Sequence, residues 1–420
     1  MSPPLPVRSR PEAPRFVAAP IEPDPTGPRP AGPLGRRFRL FPQPPHVRGY
    51  ERPETVFLPD RFGPVGAGPS DGGIRTVAPS EAKRPYEYPF LPPFDGPAEA
   101  GAEPDADGHF DHLEPDDPRF AAVHAYAGTR WALASVEAYR GPVRWFFAPE
   151  RGRLELVARL RGWNNAQAGF GFIELGEERA EDGAAPMPFA LNLDIIAHEL
   201  GHLALFDAMG SNRDVMRAGD VAAFHEAAGD IVAMVSLLRF ERALDHLLRR
   251  SGGNLMVANE LDRIGEMAGE RQIRRASNRV RMADVGTIPH DRALPLIGAL
   301  FDAIVEVSEA LGLEAGVDGL DPARVPDPRR QLRPERLDAL LHPRRADPET
   351  EAAVHATRRD ALARARDVVA RAFFAAWDDL RGPFTMADAA RAILAHAPWD
   401  ERPDLAVLIE ASLAWRGLVR

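Results

Sequence analysis

The chain has 420 residues, a formal net charge of −10 at pH 7 and a pI near 5.7, and no dense Lys/Arg stripe interleaved with aromatics, so nucleic acid is not an expected partner. Its 45% hydrophobic and 27% charged content predicts a globular protein with room for two or three domain-sized units, and no apolar run of about 18 residues is present to cross a bilayer, so no membrane partner is expected. Cysteine is absent, which removes disulfides, thiolate metal sites and a cysteine nucleophile, so any metal must be held by His, Asp or Glu.

The opening MSPPLPVRSRPEAPRFVAAP has no apolar stretch behind its basic residues, and the expected location is therefore cytoplasmic, with leaderless export as the alternative. Residues 1–105 carry 25 of the 42 prolines, in runs such as IEPDPTGPRPAGP that cannot sustain helices or central strands. A proline-rich extended arm or disordered region is expected there, with Tyr86, Tyr88, Phe90 and Phe94 as the patches available for packing on the body.

From about Asp116 the pattern changes. FAAVHAYAGTRWALASVEAYRG has helical periodicity stopped by Gly141-Pro142, and VRWFFA, RLELVARL and GWNNAQAGFGFIELG read as strands joined by turns. LDIIAHELGHLALFDAMG predicts a helix opening at Asn192 or Asp194 and stopping at Gly210. DVAAFHEAAGDIVAMVSLLRFERALDHLLRR predicts a second, longer helix from Asp220. HDRALPLIGALFDAIVEVSEALG predicts another, followed by a charged Pro/Arg-rich insert near 312–345 and by helices from about Glu349 to the end.

His198-Glu199-Leu200-Gly201-His202 is an H-E-x-x-H motif within a helical pattern. Positions i and i+4 lie on one helix face and can present two imidazoles to one ion, which leaves Glu199 beside the metal rather than on it. A catalytic zinc takes a third protein ligand and keeps a position for water. HEAAGDI supplies candidates: Glu226 and Asp230, four residues apart on the next helix, can divide the work, one carboxylate on the metal and the other hydrogen-bonded to a ligand histidine. His225 is a rival ligand, pointing about 100° away around the helix.

These segments resemble the thermolysin family of zinc metallopeptidases, in which the H-E-x-x-H helix is completed by a glutamate. DIIAHELGHLALFDAMG is similar to that family's zinc helix and FHEAAGDIVA to its third-ligand helix. The resemblance implies one zinc ion on His198, His202 and Glu226, Glu199 as general base, and Asp230 as the partner of a ligand histidine. AVHAYAGTRWALASVEAY resembles the helix that opens the family's catalytic domain, and WNNAQAGFGFIELG its edge strand, which makes Asn165 and Ala166 the residues that pair with a peptide or protein substrate. IRRASN resembles the segment whose arginine binds a substrate carbonyl, implying Arg274, with Arg275 as the alternative. Asp284 and His290 resemble the aspartate and histidine that stabilise the transition state, one residue further apart than usual.

The likeness runs from about Arg119 to Val419. It implies an α+β, thermolysin-like catalytic fold: a β-rich lobe over 106–210 ending in the zinc-binding helix, a mainly α-helical lobe over 211–420, and the zinc cleft between them. NRDVMRAGDVAAFHEA lacks the tyrosine that relatives carry before the third ligand, so oxyanion stabilisation is expected from His290. Leu237 and Leu238 stand where a calcium carboxylate is expected, so paired calcium sites are not expected although Asp194 is retained.

Overall fold

The structure is a computed structural model and describes residues 35–178, 186–210, 219–256, 259–267, 271–317 and 348–420. Two short strands, β1 (Arg36–Leu40) and β2 (Glu54–Leu58), pair antiparallel with Arg36 opposite Leu58 and Leu40 opposite Glu54. Then β3 (Ile74–Val77) lies parallel to β4 (Leu154–Val157), which lies parallel to β6 (Phe172–Leu175), while β5 (Ala166–Gly169) closes the four-stranded sheet antiparallel to β6. The order β3-β4-β6-β5 puts β5 on an edge.

Of residues 1–105, expected as a proline-rich extended arm or disordered region with patches available for packing, the first 34 lie outside the described ones. Residues 35–105 are built into the body. The three strands RRFRL, ETVFL and IRTV contain no proline, the prolines falling in the connections, where a missing N–H and a fixed φ cost nothing. Phe38 stacks on Phe110 at 5.2 Å and leans on Tyr126 at 5.6 Å. The sheet supplies a second reason. LELV and FIEL leave Glu155 and Glu174 on a face that must be covered, and the 83–94 segment covers it. Lys83 pairs with Glu174, the Tyr86 hydroxyl donates to Glu155, and the backbone N–H groups of Tyr86 and Phe94 donate to Glu174 and Glu155 at 2.8 and 3.0 Å. Buried carboxylates are costly unless paired, and this segment pairs them. Tyr86 is buried and Tyr88 is exposed.

The helix predicted before Gly141 is α1 (Phe120–Arg140), buried along most of its length and capped by Gly141 at φ +83°. VRWFFA, expected as a strand, instead turns Trp145 and Phe147 into the core and leads into the one-turn α2 (Ala148–Arg151). Next comes α3 (Leu193–Met209), whose start is capped by the Asn192 side chain accepting the Ile195 N–H at 3.3 Å and whose end is set by Gly210 at φ +83°.

The long helix expected from Asp220 is two helices, α4 (Gly219–Leu237) and α5 (Glu241–Ser251), bent by 92°. Its break has no stop signal in the sequence because the cap is tertiary: the Trp131 indole donates to the Ser236 carbonyl at 3.0 Å and Arg366 to the Leu238 carbonyl at 2.7 Å. An antiparallel hairpin, β7 (Arg263–Met267) and β8 (Arg271–Arg275), follows. The remaining helices are α6 (Pro289–Glu314), α7 (Pro348–Ala376), α8 (Met386–Ala395) and α9 (Pro403–Trp415). Most of the Pro/Arg-rich insert falls in 318–347, outside the described residues. The architecture is mixed α+β, and α3 and α4 pack against each other at its centre, with α1 and α6 on either side. Among the described residues no single helix is long and apolar enough to cross a membrane.

Candidate metal centre

The i, i+4 spacing of α3 brings His198 and His202 onto the face that meets α4, and α4 presents Glu226 and Asp230 to them. One ligand atom from each of His198, His202 and Glu226 lies within 4.8 Å of the others, the cluster of this kind found among the described residues. The two Nε2 atoms are 3.1 Å apart, and Glu226 Oε2 is 3.6 Å from His198 Nε2 while its Oε1 is 4.0 Å from His202 Nε2. Bonds of about 2.0–2.1 Å at tetrahedral angles require ligand atoms about 3.3–3.4 Å apart, so the donor set fits a zinc-sized ion and is of the nitrogen and oxygen type zinc accepts.

Orientation comes from behind the cluster. His198 Nδ1 lies 2.8 Å from Asp230 Oδ1, which fixes the ring and leaves Nε2 directed at the cleft. Arg274 reaches from β8 to donate from Nε to Asp230 Oδ2 at 2.6 Å and from Nη2 to Oδ1 at 3.0 Å, and its Nη1 is 3.5 Å from Glu226 Oε2. Arg275, the alternative, points to the other face of the strand and pairs with Asp262 at 2.6 Å. His225, the rival ligand, is buried between the rings of Phe206 at 4.8 Å and His202 at 5.9 Å.

The electrostatics separate the groups. Burial pushes the Glu199 carboxyl up to about 7, with the Glu226 charge acting in the same direction and His198 and Arg274 against it. Burial also drives the His202 imidazole down to about 4. For Glu226 burial acts upward, but His290, His202, His198 and Arg274 together hold it well below the usual carboxylate range. Asp230 is likewise held low, its burial outweighed by Arg274 and His198.

The cleft has a volume of about 530 Å³. Asn165 and Ala166 line it at the start of β5, with Ala166 paired to Leu175. His290, in the first turn of α6, places Nε2 3.0 Å from Glu226 Oε2. Asp284 is placed elsewhere. Its carboxylate accepts the Arg281 N–H at 2.9 Å and closes a short turn, Met282–Asp284, while the carboxylate beside His290 is that of Glu226.

Sequence reasoning left unassigned the far wall of the cleft, made by Ile264, Gly265, Met267 and Ile273 of the hairpin, and the anchor of that wall. Asp194, fully buried at the start of α3, accepts from Gln43 Nε2 at 3.1 Å and from the Gly265 N–H at 3.0 Å, and burial pushes it up to about 7. These partners are separated by long stretches of chain, and only a carboxylate in an otherwise apolar first turn hinted at the anchor.

No protein-family model matches this chain, and no curated protein matches it. Among solved structures it is similar to the precursor of protealysin, a metalloproteinase from Serratia proteamaculans, with 13% sequence identity and a TM-score of 0.44, over 83% of this chain and 89% of that one.

Proposed function

We propose that this protein is a zinc-dependent metalloendopeptidase acting on flexible peptides or unfolded protein segments. The observation that carries the reading is the convergence of His198, His202 and Glu226 in one cleft, with the buried Glu199 beside them. Bound zinc would supply Lewis acidity to a scissile carbonyl and acidify a water. The chain's own groups do the rest. Asp230 and Arg274 hold the His198 ring through its Nδ1 side. Glu199 takes the proton of the attacking water on its carboxylate and passes it to the leaving amine. His290 Nε2 donates to the carbonyl oxygen as charge develops there. The edge strand β5, hydrogen-bonded to β6 on one side, offers its other side to an extended substrate at Asn165 and Ala166.

Zinc content of the purified chain and cleavage of a broad peptide library test the reading. Wild type is expected to hold one zinc per chain and to cleave, and Glu199→Gln to keep the zinc while losing activity by at least about a thousandfold. A zinc-loaded wild type that cleaves nothing and behaves as Glu199→Gln does sinks it.

A second reading, a catalytically weak relative that binds peptides or a partner, draws on two observations. No tyrosine stands between Asn212 and Glu226, and His290 is engaged by Glu226. Tight peptide binding without turnover favours that reading.

A further inference from the structure

We propose that Gly229 is a positioning residue for the metal centre: its missing side chain is the space in which the His198 imidazole stands. The inference rests on the zinc reading above. A Cβ built on Gly229 would lie 2.4 Å from His198 Nδ1, 2.7 Å from its Cε1 and 2.8 Å from its Cγ. Carbon at such distances from three ring atoms is excluded by van der Waals contact. The ring has no second place to go that keeps its bonds, because Nδ1 is held at 2.8 Å by Asp230, the residue after Gly229.

The same crossing has a second glycine with a different duty. A Cβ on Gly201 would lie 2.8 Å from Gly229 Cα and 3.3 Å from the Ala228 carbonyl oxygen, so Gly201 sets how closely the backbones of α3 and α4 approach. On α3 the glycine follows His198 by three residues and precedes His202 by one. On α4 it follows Glu226 by three and precedes Asp230 by one. Each glycine therefore sits at the crossing point, between His198 and His202 on α3 and between Glu226 and Asp230 on α4, and together they fix the ligands of both helices around one point. Gly201 does so through the backbones and Gly229 through a single ring. Neither φ is left-handed and both lie inside helices, where glycine costs about 1 kcal/mol relative to alanine. Backbone conformation alone does not ask for glycine at either place, and the contacts do.

The test uses the full chain and two probe metals. Zinc affinity is measured by competition with a chelator, cobalt(II) reports coordination through its visible absorption, and melting in chelator reports the metal-free fold. Gly229→Ala is expected to melt in chelator close to wild type, since the three atoms nearest the added Cβ all belong to one imidazole, while zinc affinity falls roughly 10–100-fold, the range seen when the supports of ligand residues are lost. Its cobalt spectrum is expected to change in shape. Gly201→Ala, which separates backbones, is expected to lose both zinc affinity and metal-free melting temperature. Gly312→Ala in α6, where a built Cβ meets nothing within 4 Å, is the control and is expected to bind zinc as wild type does. A Gly229→Ala chain with wild-type zinc affinity and cobalt spectrum overturns the proposal, and so does one that is unfolded in chelator, which would make the glycine a general packing residue. A wild-type chain that takes up no zinc overturns the metal reading itself, a result distinct from either.

Discussion

The cleft has two walls that are held in different ways. On one side α3 and α4 meet through glycines, and the candidate ligands are half-buried and braced by buried bonds behind them: His198 to Asp230, Asp230 to Arg274. On the other side the hairpin β7–β8 and the first turn of α6 carry exposed groups, with His290 side chain 61% accessible and Ile273 48%. This second wall hangs on a few polar ties over long sequence separations. Gly265 is tied to Asp194, and Asn278, beyond the hairpin, donates to the Leu294 carbonyl at 3.1 Å and accepts from Arg416 at 2.6 Å. On the proposed zinc-peptidase reading the difference is one of tasks: ligand atoms would need fixed separations, and a surface that receives a peptide would need access.

Arg274 crosses from the second wall to the first, so its removal should break the comparison most severely. Arg274→Ala strips two donors from the buried Asp230, which among the described residues keeps His198 as its close side-chain partner, and takes away a guanidinium 3.5 Å from Glu226. Loss of kcat/KM by roughly 10²–10³-fold is expected, together with a fall in zinc affinity of about tenfold. Steady-state kinetics beside chelator competition separates the two. A variant with intact zinc affinity and full activity would mean that Arg274 belongs to its own wall alone.

Behind the first wall lies His124, and pH sharpens the comparison. His124 Nε2 accepts the Phe41 N–H at 2.9 Å and Nδ1 donates to the Ala190 carbonyl at 2.7 Å, joining the amino-terminal segment to α1 and to the turn before α3. Burial lowers its pKa from 6.5 to about 4. The neutral ring is what the fold binds, so the sign is fixed: stability is full above about pH 6.5 and declines as pH falls toward 4, where the unfolded chain takes up a proton that the folded one refuses. The shift corresponds to about 3 kcal/mol at the acid end. Urea unfolding of wild type and His124→Gln between pH 7.5 and 4.5 measures it, and the variant's profile is expected to be flatter by that amount. Equal slopes would mean that His124 is protonated in the fold.

Legibility divides along the same line. His198 with His202, and Glu226 with Asp230, are readable because four-residue spacing on a helix is a local statement about one face. The break between α4 and α5 is not readable, since its caps come from Trp131 and Arg366 on other helices. Nor are β1 to β3, whose four- and five-residue strands are hidden among prolines and become strands because their partners lie in register beside them. The sequence does not tell Arg274 from Arg275, whereas strand alternation sends one to Asp230 and the other to Asp262.

Asp284 tests the second wall with the smallest expected effect. If exposure there meant only tolerance, every substitution near His290 would be silent; if each group had a catalytic duty, Asp284 would be as sensitive as the residues it was expected to join. Its carboxylate is spent on the Arg281 N–H within one short turn, a bond that an asparagine side-chain oxygen also makes. Asp284→Asn is therefore expected to keep kcat/KM within about twofold of wild type, the range of surface substitutions away from special features. His290→Ala, which removes the donor facing Glu226, is the contrasting measurement in the same assay. A large loss in Asp284→Asn with the melting temperature unchanged would return Asp284 to the catalytic surround, because the negative charge would then be needed where the hydrogen bond alone is not.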